Sequence, residues 1–565
     1  MLAAAMLLGS GLGTASAQAT EEATDLQTVA AAALSGYDAL IGDVRFVGEM
    51  AGFPGAADMA EGMLAMATQG RGLAGLGLDT TRPLGVVLQT DGTQFAPLAC
   101  IPISDIDPMM DMLDTFQLDY DELGEGVVQI DLPDQTLYVK QSGEWTYVAQ
   151  SADAFDAAPA DPLPVLSELV SEYDLGVRAY VQKVPPMYRQ VALNALRSGM
   201  QQGLERGDEE SDEDYEQRVE LAESQVDQLS NLIEELDEFT IGWSLDAETE
   251  STFLDIVLTA LSGTDMAMAL DSYGDQPSTF PGFFDGEAAA GLIGTSQSQP
   301  ELLEKQRPQL ESQIEVFRTQ IDQAIDEQDE FPGEEDRTKL KAAATDLLDA
   351  YEALVFDGRG EAAASLTTNE GEGLAAMGAI YVPTPDKVEA ALKNLASVLE
   401  SKPQFPGMQW DADEHAGVRM HLLSMPLPPE AAAVSPLLGD KIEIALGFAE
   451  KAVYFGVGRN AIDQIKTGFD DSRARDGEET PPLEGFISVG QMVEAFLPMA
   501  DANSKPIMQL VLDAINEQPE GTDHVRLSGT EVESGVRLRY EAESGVLKAA
   551  AAAAAAAQAQ AAGGF

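Results

Sequence analysis

The sequence predicts an α+β protein with two related lobes, each an antiparallel β-sheet with packed helices and one long antiparallel helical hairpin. Three observations lead to this prediction. Pairs of strand-like segments precede short helices, one such unit recurs along the chain, and two long stretches carry apolar residues at helical spacing. The lobes are expected at 24–275 and 283–550, between a signal peptide at 1–17 and an alanine-rich tail at 551–565.

The clearest unit is TLYVKQSGEWTYVAQSADAFDAA, residues 136–158. It has two strands around a Ser-Gly turn and then Ser151, which opens a short helix. Residues 442–465 match its apolar pattern without gaps, and Gly458 takes the place of Ser151. Because the apolar period recurs and the polar chemistry does not, we interpret the unit as scaffold and Ser151 as a helix cap rather than a nucleophile.

Further segments combine a β-hairpin with an amphipathic helix, at 84–117, 238–273, 354–400 and 524–548. They flank the repeated unit in the same order in both halves of the chain, which is typical of an internal duplication. We therefore expect residues 84–275 to superimpose on residues 354–550.

Two helical hairpins are expected, at 185–237 and 298–354. The second helix of the first hairpin has apolar residues at alternating spacings of four and three, namely Tyr215, Val219, Ala222, Val226, Leu229, Ile233 and Leu236. This spacing is a heptad seam. The two seams of each hairpin are predicted to close on each other beside a sheet, and the alternative is an arm that contacts a partner.

Charge limits the classes of partner. The chain has 97 acidic and 32 basic residues, a net charge of −65 at pH 7. Such a field repels nucleic acid and anionic membrane surfaces, so no nucleic acid is expected as a partner. Weak divalent cation binding is compatible with it, although the sequence has no D-x-[DN]-x-[DN]-G loop for a specific calcium site.

The N-terminus predicts export. An apolar run ends in Ala15-Ser16-Ala17, which is typical of a secretory signal cleaved before Gln18. We therefore expect an exported protein, periplasmic or extracellular. The sequence after the signal has no strongly apolar stretch of about 18 residues, so it predicts no transmembrane segment.

The motifs that usually carry chemistry do not select a site. Gly70, Gly72 and Gly75 match G-x-G-x-x-G, but a helix precedes them and a strand follows, the reverse of a dinucleotide-binding motif. We interpret them as the end of a helix and the start of a loop. Cys100 lies in the apolar segment APLACIPIS, which predicts a buried thiol. Because it is the only cysteine, no intramolecular disulfide can form.

The chain has three histidines. His415 and His421 are predicted on one strand, six residues apart, so at about 3.3 Å per residue they are expected about 20 Å from each other, too far to share a metal. His524 stands at the start of a hairpin. The sequence therefore assigns no catalytic, cofactor-binding or metal-binding residue, and no cofactor.

Three segments resemble a family of uncharacterised exported proteins typical of planctomycete-type bacteria. They are RPLGVVLQTDG (82–92), TLYVKQSGEWTYVAQSADAF (136–155) and YDLGVRAYVQKVPPMYRQ (173–190). The resemblance covers most of the chain after the signal and implies export and an α+β architecture. It implies no activity and no functional residues.

The leading functional hypothesis is a non-catalytic exported envelope or periplasmic protein that acts by binding or assembly, with an unknown protein or an apolar ligand as its partner. The first alternative is a carrier of an apolar, lipid-like ligand, for which the methionine-rich segments 57–66 and 107–113 would supply an adaptable lining. The second alternative is an acid-pair hydrolase, which needs two carboxyl groups about 5–10 Å apart. The sequence favours the non-catalytic hypothesis.

Overall fold

The computed structural model describes residues 26–50, 52–116, 118–133, 135–204, 206, 212–327, 333–369, 373–400, 402, 405–427 and 435–562. The predicted signal peptide and its cleavage site lie outside these residues. Helices and antiparallel strands share the chain, which confirms the predicted α+β class. The structure has two compact units, Met1–Met266 and Ala267–Phe565.

The first unit contains one antiparallel sheet. Its strands are β1 (Gln27–Leu34), β2 (Leu84–Thr90), β3 (Phe95–Ile101), β4 (Tyr120–Gly124), β5 (Val127–Leu132), β6 (Gln135–Ser142), β7 (Trp145–Ala149), β8 (Leu175–Tyr180), β9 (Leu236–Asp246) and β10 (Ser251–Ala260). They pair in the order β10-β9-β8-β1-β2-β3-β7-β6-β5-β4. Most neighbours are consecutive in the chain, as hairpin connections require.

The helices of this unit are α1 (Tyr37–Met50), α2 (Ala56–Ala67), α3 (Asp107–Phe116), α4 (Leu163–Val170), α5 (Pro186–Gly203) and α6 (Asp212–Glu235), and α7 (Asp265–Leu270) begins in this unit and ends in the second. The core lies where Leu166 and Leu169 of α4 meet one face of the sheet, with Val87, Leu98 and Tyr147 fully buried. Cys100 belongs to this core, which confirms the predicted buried thiol.

The second unit has a sheet of β12 (Ala290–Gln297), β13 (Arg359–Asn369), β14 (Gly373–Tyr381), β15 (Met408–His415), β16 (Val418–Pro426), β17 (Lys441–Phe448), β18 (Ala452–Val457), β20 (Leu483–Ser488), β21 (His524–Val532) and β22 (Gly535–Ala542). A separate short pair joins β11 (Gln276–Pro277) to β19 (Glu479–Thr480). The large sheet is antiparallel, in the order β22-β21-β20-β12-β13-β14-β18-β17-β16-β15. Counted from its own first strand, β1 or β12, each large sheet has the same strand order.

The helices of the second unit are α8 (Pro300–Glu327), α9 (Glu334–Asp357), α10 (Pro385–Leu399), α11 (Ser435–Leu438), α12 (Ala461–Ala474), α13 (Val489–Phe496), α14 (Ser504–Asn516) and α15 (Ser544–Ala562). Ile465 of α12 packs with Phe283, Met420 and Tyr454 in the core of the sheet. Within the described part of the chain, no helix is both long enough and apolar enough to cross a membrane.

The two long helical segments occupy different places in the strand order. α5 and α6 connect β8 to β9, whereas α8 and α9 connect β12 to β13, the strands that correspond to β1 and β2. The segments predicted as helical hairpins, 185–237 and 298–354, therefore stand at different places in the strand orders of the two sheets. Apolar spacing identifies a helix, but it does not identify the strands that the helix connects.

Two local predictions are confirmed. The Ser151 side chain accepts a hydrogen bond from the Asp153 backbone N–H at 3.3 Å and caps the 3₁₀ turn at 152–157. Gly70 and Gly72 adopt φ of +86° and +66° after the end of α2, as residues that end a helix and begin a loop do.

The prediction that His415 and His421 lie on one strand was wrong. His415 ends β15 and Val418 begins β16, with Ala416 and Gly417 at φ of +49° and +89° between them. Two successive residues with positive φ form the tight turn that joins antiparallel strands. The period-two pattern continues across this turn, which is why the sequence suggested a single strand.

Candidate functional site

The sheet of the first unit has an apolar face on the side away from helix α4. On the face opposite the helix α4, paired residues form three rows across five strands, β10, β9, β8, β1 and β2. The rows are Leu254, Trp243, Leu175, Leu34 and Leu84; Ile256, Ile241, Val177, Ala32 and Val86; and Leu258, Phe239, Ala179, Ala30 and Leu88. We call these residues the first apolar face. Leu175, Val177 and Ile241 are about 40% exposed.

The sheet of the second unit has a corresponding face, which spans β22, β21, β20, β12, β13 and β14. Its rows are Ala542, Val525, Ile487, Ala290, Leu366 and Ala376; Tyr540, Leu527, Gly485, Leu292, Ala364 and Gly378; and Leu538, Gly529, Leu483, Gly294, Ala362 and Ile380. We call these residues the second apolar face. Leu292 and Ile487 are 50% and 49% exposed. A solvated face of an antiparallel sheet usually carries polar residues, so these faces have the composition of a binding surface.

The second apolar face continues into a cavity of about 280 Å³. Gly294, Ala362 and Ile380 belong to the face and line this cavity, together with Tyr273 and Leu354. A neighbouring cavity of about 300 Å³ has a more polar lining, which includes Ser278, Thr279, Gln297, Arg359 and Asp476. Thr295, Ser296, Gly360 and Glu361 line both cavities.

A buried carboxylate, Glu361, stands between the two cavities. Its Oε1 accepts hydrogen bonds from the Ser278 and Thr279 hydroxyls at 2.9 and 3.0 Å. Its Oε2 accepts from Arg359 Nε at 3.2 Å and also from Arg359 Nη2. Burial, with a further contribution from the Glu361 charge, raises the pKa of nearby Tyr454 to about 12. Glu361 is therefore held in place by neutral donors and one guanidinium.

Thr295 of β12 pairs with Glu361 of β13, and it differs from the neighbouring polar residues in the hydrogen bonding of its side chain. It is only 5% exposed, and its hydroxyl has no hydrogen-bond partner among the residues that the structure describes. A buried hydroxyl without a partner destabilises the folded state relative to one that is hydrogen-bonded. One buried hydroxyl on β12 is therefore left unsatisfied by the described residues.

A second buried polar cluster surrounds Glu389 of α10. The His421 Nδ1 accepts from the Asp411 backbone N–H at 3.0 Å, so its Nε2 carries the hydrogen and donates to Glu389 Oε1 at 3.2 Å. Lys393 Nζ lies 2.6 Å from Oε1 and Arg419 Nη2 lies 2.5 Å from Oε2. Burial raises the pKa of Glu389, but the hydrogen bond and charge of Lys393 and the charge of Arg419 outweigh it, and the net pKa is lowered.

The three histidines contact three different acids. His415 Nε2 lies 2.8 Å from Asp470 Oδ1, and His524 Nδ1 lies 3.0 Å from Glu543 Oε2. His421 binds Glu389. Among the residues that the structure describes, there is no group of three or more side chains placed to hold a metal ion.

The first unit contains an acid pair that the sequence did not single out. Burial, with repulsion from Asp174, raises the pKa of Asp43 to about 6. Within the described part of the chain, the buried Asp43 Oδ2 has no hydrogen-bond partner, whereas the Asp174 Oδ2 accepts from the Ser244 hydroxyl and the Leu245 N–H, both at 2.8 Å. These acids are far apart in sequence, so only the fold identifies the pair.

The methionine-rich segment 57–66 does not line either cavity. Met59, Met63 and Met66 lie exposed on α2, at the helical spacing that places them on one face. Comparison with protein-family models, with curated proteins and with solved structures found no match to this chain.

Proposed function

We propose that this protein is an exported, non-catalytic binding protein that carries an apolar, lipid-like ligand on its sheet faces. The observation that carries the proposal is the second apolar face, in which eighteen paired positions over six strands are occupied by apolar residues or glycine. The face is continuous with a cavity. This favours a small ligand over a protein partner, because small-molecule sites are concave whereas most protein interfaces are flat.

The energies support an alkyl chain as the ligand. Burial of one methylene group contributes about 0.8 kcal/mol, so about ten methylenes supply about 8 kcal/mol before the entropic cost of association. The aliphatic and glycine composition of the second apolar face suits this contact. The net charge of −65 disfavours attachment to an anionic bilayer, so the ligand is proposed to bind as single molecules.

We also propose that the lobes 24–275 and 283–550 arose by internal duplication, with Leu137 and Ile444 at equivalent positions. The shared strand order of the two units supports this. The proposed helical hairpins are supported by the 3.0 Å contact between Arg318 of α8 and Asp349 of α9. For 185–237 the support is the 3.4 Å hydrogen bond from Arg197 of α5 to Ser230 of α6. Export rests on the signal sequence and on the resemblance to exported proteins.

The proposal is tested by binding of a fluorescent alkyl probe to the full chain after the signal. Leu292→Asp places a charge in the middle of the second apolar face and is expected to weaken binding at least tenfold. Leu347→Asp is the matched control, because Leu347 is similarly exposed but lies on α9. Equal binding by both variants would contradict the proposal.

Sedimentation of the same variants addresses a protein partner. If the second apolar face joins two copies of this chain, the wild-type protein sediments as a dimer without lipid and Leu292→Asp sediments as a monomer. That result, with no probe binding, would replace the carrier proposal by assembly.

A second candidate, acid-pair hydrolysis, is favoured by one observation, the raised pKa of Asp43 beside Asp174. A carboxyl group with a pKa near 6 is suited to act as a general acid at neutral pH. The test is hydrolysis of chromogenic glycosides by the wild-type protein and by Asp43→Asn. Turnover that the substitution abolishes would establish this function, and an unchanged background rate would exclude it.

A further inference from the structure

We propose that one side of helix α2 is a docking surface for a partner that presents a cationic amphipathic helix. The surface consists of Met59, Met63 and Met66, which we call the methionine stripe. The inference goes beyond the carrier proposal and does not depend on it, because the stripe lies in the first unit and the second apolar face lies in the second.

The methionine stripe occupies the side of α2 that points away from the rest of the unit. At about 3.6 residues per turn, the three methionines fall within about 60° of one another around the helix axis. Ala57, on the opposite side of the helix, is fully buried. The methionines are 55%, 60% and 76% exposed. The solvent-facing side of a helix normally carries polar residues, so three adjacent exposed methionines have the character of a contact surface.

Helix α2 is fixed at both ends. At its start, the Phe53 N–H donates to the Gly48 carbonyl of α1 at 2.7 Å, and the Ala56 N–H donates to the Phe53 carbonyl at 3.0 Å. Gly48 is buried, and a Cβ there would lie 2.7 Å from the Ala56 Cβ, so the two helices are in close contact. At its end, the Thr68 hydroxyl donates to the Leu64 carbonyl at 2.8 Å. The stripe is therefore a preformed surface, which reduces the entropic cost of binding.

The residues beside the stripe leave room for a second helix. Around the helix axis, Gly62 and Ala67 flank the three methionines, and both are exposed. A Cβ at Gly62 would have no other atom within 4 Å. A partner helix can therefore approach α2 closely, with the methionines between its own side chains. Methionine suits this contact because its unbranched side chain adapts to the shape of the partner.

The charge around the stripe favours a cationic partner over a second copy of this chain. The exposed acids of α1 and α2 are Asp38, Glu49, Asp58 and Glu61, whereas Arg45 is the one base on these two helices. Two copies would each bring a net charge of −65 and repel each other. Lysine or arginine residues on the flanks of a partner helix would be attracted instead.

The test measures the binding of three synthetic peptides to the full chain after the signal, in about 0.15 M salt, where the Debye length is about 8 Å. Each peptide has about 18 residues, enough for about five helical turns. The first has leucine on one helical face and lysine on the other, the second has glutamate in place of lysine, and the third is a scrambled form of the first. We expect the first peptide to bind at least about tenfold more tightly than either of the others, because only it combines an apolar face with complementary charge.

Met63→Gln tests whether the stripe makes the contact. Glutamine has a similar length and helix propensity and adds no charge, so the variant should keep the wild-type melting temperature and weaken the first peptide about tenfold. Met187→Gln is the matched control, because Met187 is 47% exposed on α5 of the same unit, and it should bind as the wild type does. The bound peptide should also protect Met59, Met63 and Met66, but not Met187, from oxidation by hydrogen peroxide, which mass spectrometry measures.

Four results would overturn the inference. If the scrambled peptide binds as tightly as the first, binding is non-specific attraction to the net charge. If Met63→Gln binds the first peptide as the wild type does, the peptide binds elsewhere on the chain. If the glutamate peptide binds as tightly as the lysine peptide, charge does not select the partner. If the wild type sediments as a dimer and Met63→Gln as a monomer, the stripe joins two copies of this chain. Each of these results leaves the binding of an alkyl probe to the second apolar face to be decided separately.

Discussion

The two sheets have the same strand order and similar apolar faces, yet their buried polar groups differ. The second unit buries Glu361 and Glu389, and in each case arginine or lysine and hydrogen-bond donors hold the carboxylate. The first unit fully buries Asp255, whose Oδ2 lies 3.3 Å from the Tyr173 hydroxyl, and one oxygen of Asp43 has no partner among the described residues. The two units therefore share their strand order and their apolar pattern, but each has its own set of buried charged residues.

The difference has a consequence for function. Because the two units have the same strand order but different buried polar clusters, that strand order does not depend on either cluster. The Glu389 cluster has all its main hydrogen bonds satisfied and acts as a structural element. The Thr295 hydroxyl has no hydrogen-bond partner among the described residues.

The largest expected effect comes from Glu389→Ala. The variant leaves the fully buried His421 N–H without an acceptor and removes the counter-charge of Arg419, so the second unit should lose about 3 kcal/mol of unfolding free energy. Urea unfolding followed by Trp410 fluorescence reports it, because the indole lies 5.0 Å from the His421 ring. Lys393→Ala, a half-exposed partner of the same carboxylate, should cost less than about 1 kcal/mol.

Equal losses in these two variants would mean that Glu389 acts mainly through its surface ion pair. The Glu389 cluster would then not be a buried stabilising network that distinguishes the second unit from the first.

Position 151 of the first unit and position 458 of the second correspond in the repeated apolar pattern. Their backbone φ angles, however, have opposite signs. Ser151 has φ of −139°, whereas Gly458 has φ of +110° and a Cβ there would lie 2.6 Å from the Leu374 carbonyl oxygen. Gly458→Ser should therefore cost about 2 kcal/mol, and Ser151→Gly only a few tenths. Thermal unfolding of both variants measures this, and similar losses would show that the two positions are structurally equivalent.

The next effect concerns the opposite pKa shifts of Asp43 and Glu389. The pKa of Asp43 in the folded protein is raised to about 6, so its contribution makes stability fall as the pH rises from about 4 to 6. Asp43→Asn should remove this dependence and stabilise the first unit at pH 7 by about 1 kcal/mol, a value reduced for partial solvent exposure. Glu49→Gln, an exposed site on the same helix, is the control.

For Glu389, whose pKa is lowered, stability is present above its unfolded pKa and is lost as the pH falls through the folded value. Hydrogen exchange at pH 4 and pH 7 separates the units. If the protection of both units changes with pH in the same direction, the contrast between the two acids is not thermodynamically important.

The smallest effect is expected from salt. A net charge of −65 repels itself at low ionic strength, and the Debye length falls to about 8 Å near 0.15 M salt. The melting temperatures of both units should therefore rise by a few degrees as sodium chloride increases from about 0.01 M to 0.15 M. A calorimetric scan that shows no change would indicate that the charges are too dispersed to affect either unit.

Local features were predictable from the sequence, and long-range ones were not. Strand pairs, helix segments and the Ser151 cap follow from apolar period and capping chemistry, which act over a few residues. The second apolar face requires the register of six strands, and the pairing of Asp43 with Asp174 requires the fold. A signal for the faces was present, however, because segments such as TVAAAAL and LGVVLQT are apolar at both odd and even positions.

The burial of Cys100 makes its rate of chemical labelling a measure of local unfolding. Its thiol is fully buried and its pKa is raised to about 12 by burial, so a maleimide reagent reacts only when the core of the first unit opens. Because the chain has no other cysteine, each labelled molecule records one opening of that unit and none of the second. The rate at which the mass increases by one adduct therefore measures how often the first unit opens. It carries no contribution from opening of the second unit.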